Sequence, residues 1–163
     1  MHLTGANLKI DTFQDLLVFF FKFDSKENFP EDWATTQNNL GNAYRQRIRG
    51  DKAENLEQAI LCLQNVREAL PLQWSETLNN LGIAYIERIK GNKAENIEQA
   101  IFCLQNALQA QPKETSLLQL AKAQNNLGNA YRERIRGNKA ENIEMAIASL
   151  NMTLEVYTKE NFP

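Results

Sequence analysis

The side chains that could perform catalysis or bind a metal are scarce in this sequence. Its single histidine, His2, lies at the amino terminus, where chains commonly fray. A Cys–His or Ser–His nucleophile pair, or a histidine-based metal site, needs a histidine held inside the fold. The sequence therefore predicts no catalytic residue, no metal site and no cofactor, and we expect the protein not to be an enzyme. Only a mechanism built on carboxylates alone stays compatible with these residues.

The two cysteines, Cys62 and Cys103, occupy the same place in two repeated segments, and Ser149 takes that place in a third. They could form a two-cysteine metal or redox site if the fold brought them together. The alternative, which we favour, is that they are two small buried thiols in a reducing cytosol.

The net charge and the hydropathy of the chain restrict the kinds of molecule to which it could bind. The chain carries a formal net charge of −2, whereas a surface that binds nucleic acid needs a basic excess. The longest apolar run, Leu16 to Phe21, is far shorter than the roughly 20 residues of a membrane span. The first residues also lack the basic region and cleavage site of a secretory signal. The sequence therefore predicts a cytoplasmic protein that binds neither nucleic acid nor membrane.

Asparagine and arginine side chains recur at fixed positions and form a polar face. On a helix, Asn38, Asn42 and Arg45 fall at roughly 140–200° from Leu40, away from an apolar stripe that includes Tyr44. Their equivalents in two later segments are Asn79, Ile83 and Ile86, then Asn125, Asn129 and Arg132. Amide side chains at such positions can pair with a peptide backbone, or they can bridge adjacent helices.

Arginines are also clustered at the end of this helix, at positions 45, 47 and 49 and again at 132, 134 and 136. Glu54 and Glu57 follow the first cluster and open the next helix. Cations near a helix carboxyl end and anions near an amino end each stabilise a helix by ~0.3–1 kcal/mol. Helix-dipole complementation therefore explains most of the pattern. Anchoring of an acidic partner by Arg45 and Arg132 is the alternative.

These polar residues belong to a repeat. Residues 37–44, QNNLGNAY, recur letter for letter at 124–131, with the variant LNNLGIAY at 78–85. A unit of this length cannot bury its apolar face alone and must stack on its neighbours. Stacked units usually form a binding surface and seldom an active site. Five extra residues precede the third copy, where Leu117, Leu118, Leu120 and Ala121 predict an added helical turn.

Each unit is predicted to contain two helices. In the first unit the apolar stripe of the first helix comprises Trp33, Leu40, Tyr44 and Ile48. Gly50, Gly91 and Gly137 are expected to end the three first helices. Asp51, Asn92 and Asn138, each followed three residues later by glutamate, predict capping boxes for the second helices. The second helix of the first unit carries the stripe Leu56, Ala59, Ile60, Leu63 and Val66.

The predicted boundaries describe a single domain, residues 1–163. It comprises a lone helix at 9–24 and repeats at 31–70, 73–111 and 114–160. The lone helix is predicted because KENFP occurs both at 26–30 and at 159–163, which marks the preceding stretch as a decayed second helix.

The order and spacing of the repeated residues resemble the tetratricopeptide repeat. In the first unit the matching residues are Gln37, Leu40, Gly41, Tyr44, Ala59, Leu63 and Pro71. The units are longer than the roughly 34 residues of the standard repeat. They are similar to the long units of cyanobacterial multidomain proteins, which often lie beside caspase-like CHAT peptidase domains. The resemblance implies an all-α, right-handed solenoid of helix-turn-helix repeats.

The resemblance further implies that the polar face of each first helix lines a concave groove, in which a protein or peptide segment binds. The predicted groove residues are Asn38, Asn42, Arg45, Asn79, Ile83, Ile86, Lys122, Asn125, Asn129 and Arg132. The competing hypothesis is a structural scaffold or oligomerisation piece of a larger protein. The stripe of the final helix, which includes Ile143, Ile147 and Leu150, has no following first helix to cover it. We therefore expect self-association through this end, or else that the chain is a fragment of a longer array.

Overall fold

The computed structural model describes residues 29–67, 74–110 and 117–157. Within these ranges the chain forms six α-helices and no β-strand. In chain order the helices are α1 (Pro30–Gln46), α2 (Lys52–Arg67), α3 (Trp74–Glu87), α4 (Lys93–Gln109), α5 (Leu117–Glu133) and α6 (Lys139–Val156). The lone helix predicted at 9–24 lies outside the described residues.

The helices stack as three pairs. The two helices of each pair, α1 with α2, α3 with α4 and α5 with α6, make the most extensive contacts. Successive pairs meet where α2 packs on α3 and where α4 packs on α5. The first helices also touch one another, α1 with α3 and α3 with α5, whereas the described residues of the second helices do not. The predicted all-α solenoid is therefore confirmed, with the first helices on its inner side.

Each second helix begins at a side-chain cap. An Asp51 carboxylate oxygen accepts the Glu54 N–H at 2.8 Å, and the Asn92 amide oxygen accepts the Glu95 N–H at 3.1 Å. The Asn138 amide oxygen accepts the N–H groups of Ala140 and Glu141. These bonds satisfy amide groups that have no partner within the helix. The capping residues were therefore predicted correctly in all three units.

The loop glycines do not end the first helices as predicted. The helices end four residues earlier, at Gln46, Glu87 and Glu133. The glycines instead form the following turn, with φ of 83° at Gly50 and 79° at Gly91 and Gly137, a conformation that favours glycine. Ile48, predicted on the apolar stripe of α1, consequently lies beyond the helix and is 97% exposed.

Side chains of the second helices fix these turns. The Asn55 amide donates to the Arg49 carbonyl at 2.9 Å, and the Asn96 amide donates to the Lys90 carbonyl at 2.8 Å. Asn142 repeats the bond in the third unit, to the carbonyl of Arg136. Each turn is thus held by the helix that follows it, within its own unit.

A second set of glycines lets the two helices of a pair approach closely. A Cβ atom on Gly82 would lie 2.6 Å from Cγ of Leu104, closer than side chains tolerate. Gly41 faces Leu63 and Gly128 faces Leu150 in the same way, at 2.8 and 2.9 Å. The small residue inside the repeated segment is therefore required by packing within each pair.

The core lies between pairs as well as within them. One cluster joins Ile60 and Leu63 of α2 to Leu81 and Tyr85 of α3. A second cluster joins α4 to α5 around Leu104 and Leu127. Apolar surface removed from water in these clusters supplies the main stabilising free energy of the stack.

Leu40 departs from the expected core. It is 41% exposed, whereas Leu81 and Leu127 at the same repeat position are 3% and 7% exposed. The reason is that Leu81 and Leu127 pack against the second helix of the preceding pair, and no described helix precedes α1.

This difference predicts unequal effects of the same substitution. Leu81→Ala should lower the free energy of unfolding by about 2–5 kcal/mol, because it opens a cavity between α2 and α3. Leu40→Ala should cost less than half as much, because part of that side chain is already in water. Urea denaturation followed by circular dichroism would measure both. Equal losses would contradict the different burial of the two leucines.

Candidate functional site

One repeated position of the first helices stays partly exposed in all three units. It is occupied by Asn42 on α1, Ile83 on α3 and Asn129 on α5, and all three side chains are partly exposed. Lys122, Asn125 and Arg132, all on α5, are exposed. The structure therefore leaves these six predicted groove residues accessible to a partner in whole or in part.

Two other predicted groove amides bridge the first helices instead. The Asn80 amide group donates to the Asn38 side-chain oxygen at 3.1 Å, and the Asn126 amide donates to the Asn79 oxygen at 2.9 Å. Asn38 is buried. Asn38 and Asn79 therefore bridge adjacent helices, which is the alternative considered above for these amides. The donors, one residue later in the repeated segment, were not identified from the sequence.

Ile86 makes contacts that the sequence did not predict. It was expected to form the apolar middle of the groove with Ile83. The side chain is partly buried and packs against both core clusters, one on each side of the central pair. Both isoleucines stay partly exposed, and Ile83 packs against neither cluster.

Arg45 lies at the edge of this inner face and spans two units. Its Nη1 atom lies 3.1 Å from a carboxylate oxygen of Glu87 on α3. Its Nε atom is buried without a hydrogen-bond partner, and so is the side-chain oxygen of Asn42 one turn earlier. Buried polar atoms without a partner are uncommon, and each costs about 1–3 kcal/mol. These two atoms, a donor and an acceptor, are the unsatisfied polar groups of the candidate site.

Charged pairs join successive units away from the inner face. Arg88 binds Glu57 through two nitrogens, each 2.7 Å from a carboxylate oxygen, and Arg134 binds Glu98 in the same way at 2.8 and 2.9 Å. This bidentate geometry is the strong form of the arginine–carboxylate contact. The hydrogen bonds from Arg88 and Arg134 hold the pKa values of Glu57 and Glu98 below the ordinary glutamate value.

Sequence reasoning had assigned the arginine clusters to helix dipoles and missed these pairs. The available signal was periodicity, because Glu57 and Arg88 occupy the same unit positions as Glu98 and Arg134. A second row follows the same rule: Lys90 binds Glu54, and Arg136 lies 3.6 Å from Glu95. These three arginines and Lys90 therefore join neighbouring units.

A third polar row completes the contact between units. The Gln64 amide donates to the Tyr85 hydroxyl at 3.0 Å, and the Gln105 amide donates to the Tyr131 hydroxyl at 2.8 Å. Both tyrosine rings are buried in the clusters described above. The hydroxyl at the tip of each ring thus finds a partner on the preceding unit.

The cysteines are buried and free, as expected. Burial raises the pKa of the Cys62 thiol, which makes it a poor nucleophile at neutral pH. Across the described ranges, no three histidine, cysteine, aspartate or glutamate side chains are grouped so that they could hold a metal ion. None of the described helices is long and apolar enough to cross a membrane.

The ion pairs predict a pH-dependent contribution to stability. Glu57→Gln should lower the free energy of unfolding at pH 7 by about 1 kcal/mol, because the amide cannot accept two charged hydrogen bonds. Since the pKa of Glu57 is lowered in the folded state, this contribution is present above pH 4.5 and is lost as pH falls through the folded-state pKa. The two proteins should therefore become equally stable in acid.

Glu144→Gln is the matched control, because Glu144 holds the position of Glu57 in the third unit but is exposed and makes no ion pair with a described residue. At low protein concentration it should change stability by a few tenths of a kcal/mol at most. Denaturant titrations at pH 7 and at a series of lower pH values would decide. Equal effects of the two substitutions would show that the pair with Arg88 contributes nothing.

Comparison with known proteins agrees with the helix-pair repeat. The tetratricopeptide repeat family model matches residues 33–73, which contain most of α1 and all of α2. No curated protein matches the chain. Together with the all-helical stack of the described residues, the match supports a tetratricopeptide repeat protein.

Proposed function

We propose that this chain is a non-catalytic binding module whose inner face holds an extended segment of a partner protein. Tetratricopeptide repeats generally mediate protein–protein interaction, and the proposal assigns that role to one surface. The observation that carries it is the repeated position of Asn42, Ile83 and Asn129, which is partly exposed on three successive first helices.

The spacing of the helices suits an extended chain. Packed helices lie roughly 8–10 Å apart, and an extended peptide advances about 3.3 Å per residue. A segment that crosses the first helices would therefore bring about every third residue to this position. Amide side chains at Asn42 and Asn129 could pair with its backbone, and Ile83 could contact an apolar side chain between them.

The unsatisfied polar atoms support the same assignment. A rotation of the Asn42 amide would bring its oxygen to a backbone N–H group of the bound segment, and a rotation of the Arg45 side chain would let its Nε atom donate to a carbonyl. Arg132 and Lys122 are exposed on α5 and would attract an acidic group. We propose a partner segment with a central apolar residue and an acidic residue toward α5.

The groove assignment predicts that binding and stability respond to different substitutions. Peptides selected from a displayed random library on the unmodified protein serve as the probe. Asn42→Ala and Asn129→Ala should each weaken binding at least several-fold, because each lost hydrogen bond costs about 1 kcal/mol. Ile83→Glu should weaken it as much, because it places a charge against an apolar side chain of the peptide. Their melting temperatures should change little, since these side chains lie outside the two core clusters.

Gln58→Ala is the control for the groove, because Gln58 is exposed on α2, a second helix. It should leave the affinity of the selected peptides unchanged. Selected peptides that bind equally well to all four variants would contradict the groove assignment. Failure of the three inner-face variants to fold would show that the side chains are structural.

The second candidate function is a scaffold that associates with itself or with further repeats. The observation that favours it is the apolar surface of α6, where Ile147 is 45% exposed and Leu154 is 65% exposed. Large uncovered apolar patches normally mark interfaces. The resemblance to arrays in multidomain proteins is compatible with this role, which we propose as the alternative to groove binding.

This candidate predicts concentration-dependent assembly. The molar mass in sedimentation equilibrium should rise with protein concentration. Ile147→Glu should reduce the rise, because a charged side chain in an apolar contact must be desolvated. Leu61→Glu should not reduce the rise. Leu61 is similarly exposed, at 50%, but it lies on α2 and not on α6. A chain that stays monomeric at every concentration would contradict self-association and leave groove binding untouched.

A further inference from the structure

The two ends of the described array present the two halves of its own internal interface. Inside the array a second helix always receives the next first helix, α2 with α3 and α4 with α5. The outward faces of α6 and α1 repeat these two surfaces, and no other described helix packs on either. The helix predicted at 9–24, which would compete for the α1 face, lies outside the described residues.

The apolar residues of the two ends match those of the internal contacts. Ile101 and Leu104 of α4 are buried under α5, while Ile147 at the position of Ile101 is 45% exposed on α6. On the other side of the contact, α3 buries Leu81. Leu40, the same position on α1, is 41% exposed. Each end thus exposes apolar side chains that an additional pair would cover.

The charges of the two ends are complementary. Glu57 and Glu98 each bind an arginine of the next unit, and the equivalent residue on α6 is the exposed Glu144. At the other end of the array, Arg47 holds the position of Arg88 and Arg134. It follows α1 and is exposed. Inside the array Lys90 also binds Glu54 of the preceding unit. Arg49 holds the position of Lys90 at the α1 end, and Glu141 holds the position of Glu54 on α6. One end therefore carries carboxylates and the other carries arginines, in the register of the internal ion pairs.

The amide bridge can also continue. Asn125 is exposed and holds the position of Asn38 and Asn79, the two acceptors. The exposed Asn39 of α1 holds the position of the donors. The two ends differ from the internal contacts at one position. Asn151 holds the position of Gln64 and Gln105, whose amides bind a tyrosine hydroxyl, and the side chain of Asn151 is one methylene shorter.

We propose that α6 receives α1 of a second copy of this chain, so that copies join head to tail and Arg47 of one pairs with Glu144 of the next. The proposal rests on the self-association proposed above and specifies its geometry. A parallel contact between two α6 helices would bring Glu141 and Glu144 of both copies together, and the repulsion of like charges disfavours it. A head-to-tail contact joins two different surfaces, so it continues beyond two copies unless the rotation closes a ring.

Complementation between two defective variants tests the arrangement. Leu40→Glu disables the α1 surface, and Ile147→Glu disables the α6 surface. Each full-length variant alone should remain monomeric in sedimentation equilibrium at concentrations where the unmodified chain forms larger species. An equimolar mixture should form a 1:1 dimer and nothing larger, because each variant retains one intact surface. Leu61→Glu should assemble as the unmodified chain does.

Charge reversal tests the register. Arg47→Glu and Glu144→Arg should each weaken self-association about tenfold, because two like charges then face each other across the contact. The double variant restores opposite charges at every junction, so its affinity should return to within about threefold of the original. Circular dichroism would confirm that every variant is folded.

The outcomes separate this inference from the proposals on which it rests. A mixture that stays monomeric, while the unmodified chain associates, overturns the head-to-tail arrangement and leaves self-association standing. Assembly of Ile147→Glu alone at the original affinity also overturns it. A double charge variant as weak as the single variants overturns the pairing of Arg47 with Glu144. An unmodified chain that never associates overturns both self-association and its geometry.

Discussion

Each helix pair of this protein buries one apolar face internally and leaves another uncovered, and the stacking of pairs on that second face is the constraint on which the structure depends. The contact inside a pair is so close that only glycine fits at Gly41, Gly82 and Gly128. The contact between pairs contains the two core clusters. A single pair would expose half of this surface, so the pairs must fold as a stack.

Polar contacts give the stack its register. Apolar burial has little directional preference, so α3 could pack on α2 at more than one height. The bidentate pair of Arg88 with Glu57, the Gln64 bond to the Tyr85 hydroxyl and the bridge from Asn80 to Asn38 occur together at one height only. A shift by one helical turn, about 5.4 Å, would break all three contacts. The side chains that add least to stability therefore select the arrangement.

Sequence patterns predicted the features that repeat within one unit. The helix pairs, the caps at Asp51, Asn92 and Asn138 and the buried cysteines follow from local spacing and side-chain chemistry. The loop glycines were identified correctly, although they lie beyond the helix ends instead of forming them. Local hydrogen bonding and backbone conformation determine such features, and neighbouring residues reveal them.

Contacts between units were harder to predict because their partners lie far apart in the chain. Glu57 and Arg88 are separated by 31 residues, and helix-dipole reasoning gave each a sufficient local explanation. Helical-wheel angles placed Asn38 and Ile86 on a solvent-exposed face. They could not show how much of that face a neighbouring helix covers. Asn38 and Ile86 contact the next unit, and Leu40 lacks the neighbour that its apolar character predicted.

The loop between the two helices of a pair has a consequence for how this array can change in evolution. Its carbonyls are bound by side chains of the helix that follows, as Asn55 binds Arg49, Asn96 binds Lys90 and Asn142 binds Arg136. The geometry of a loop is thus independent of the number of units on either side. Unequal recombination between two copies would add or remove one whole unit and still satisfy the contacts of every loop. The array can change length by duplication or deletion of units, with no redesign of the turns that connect its helices.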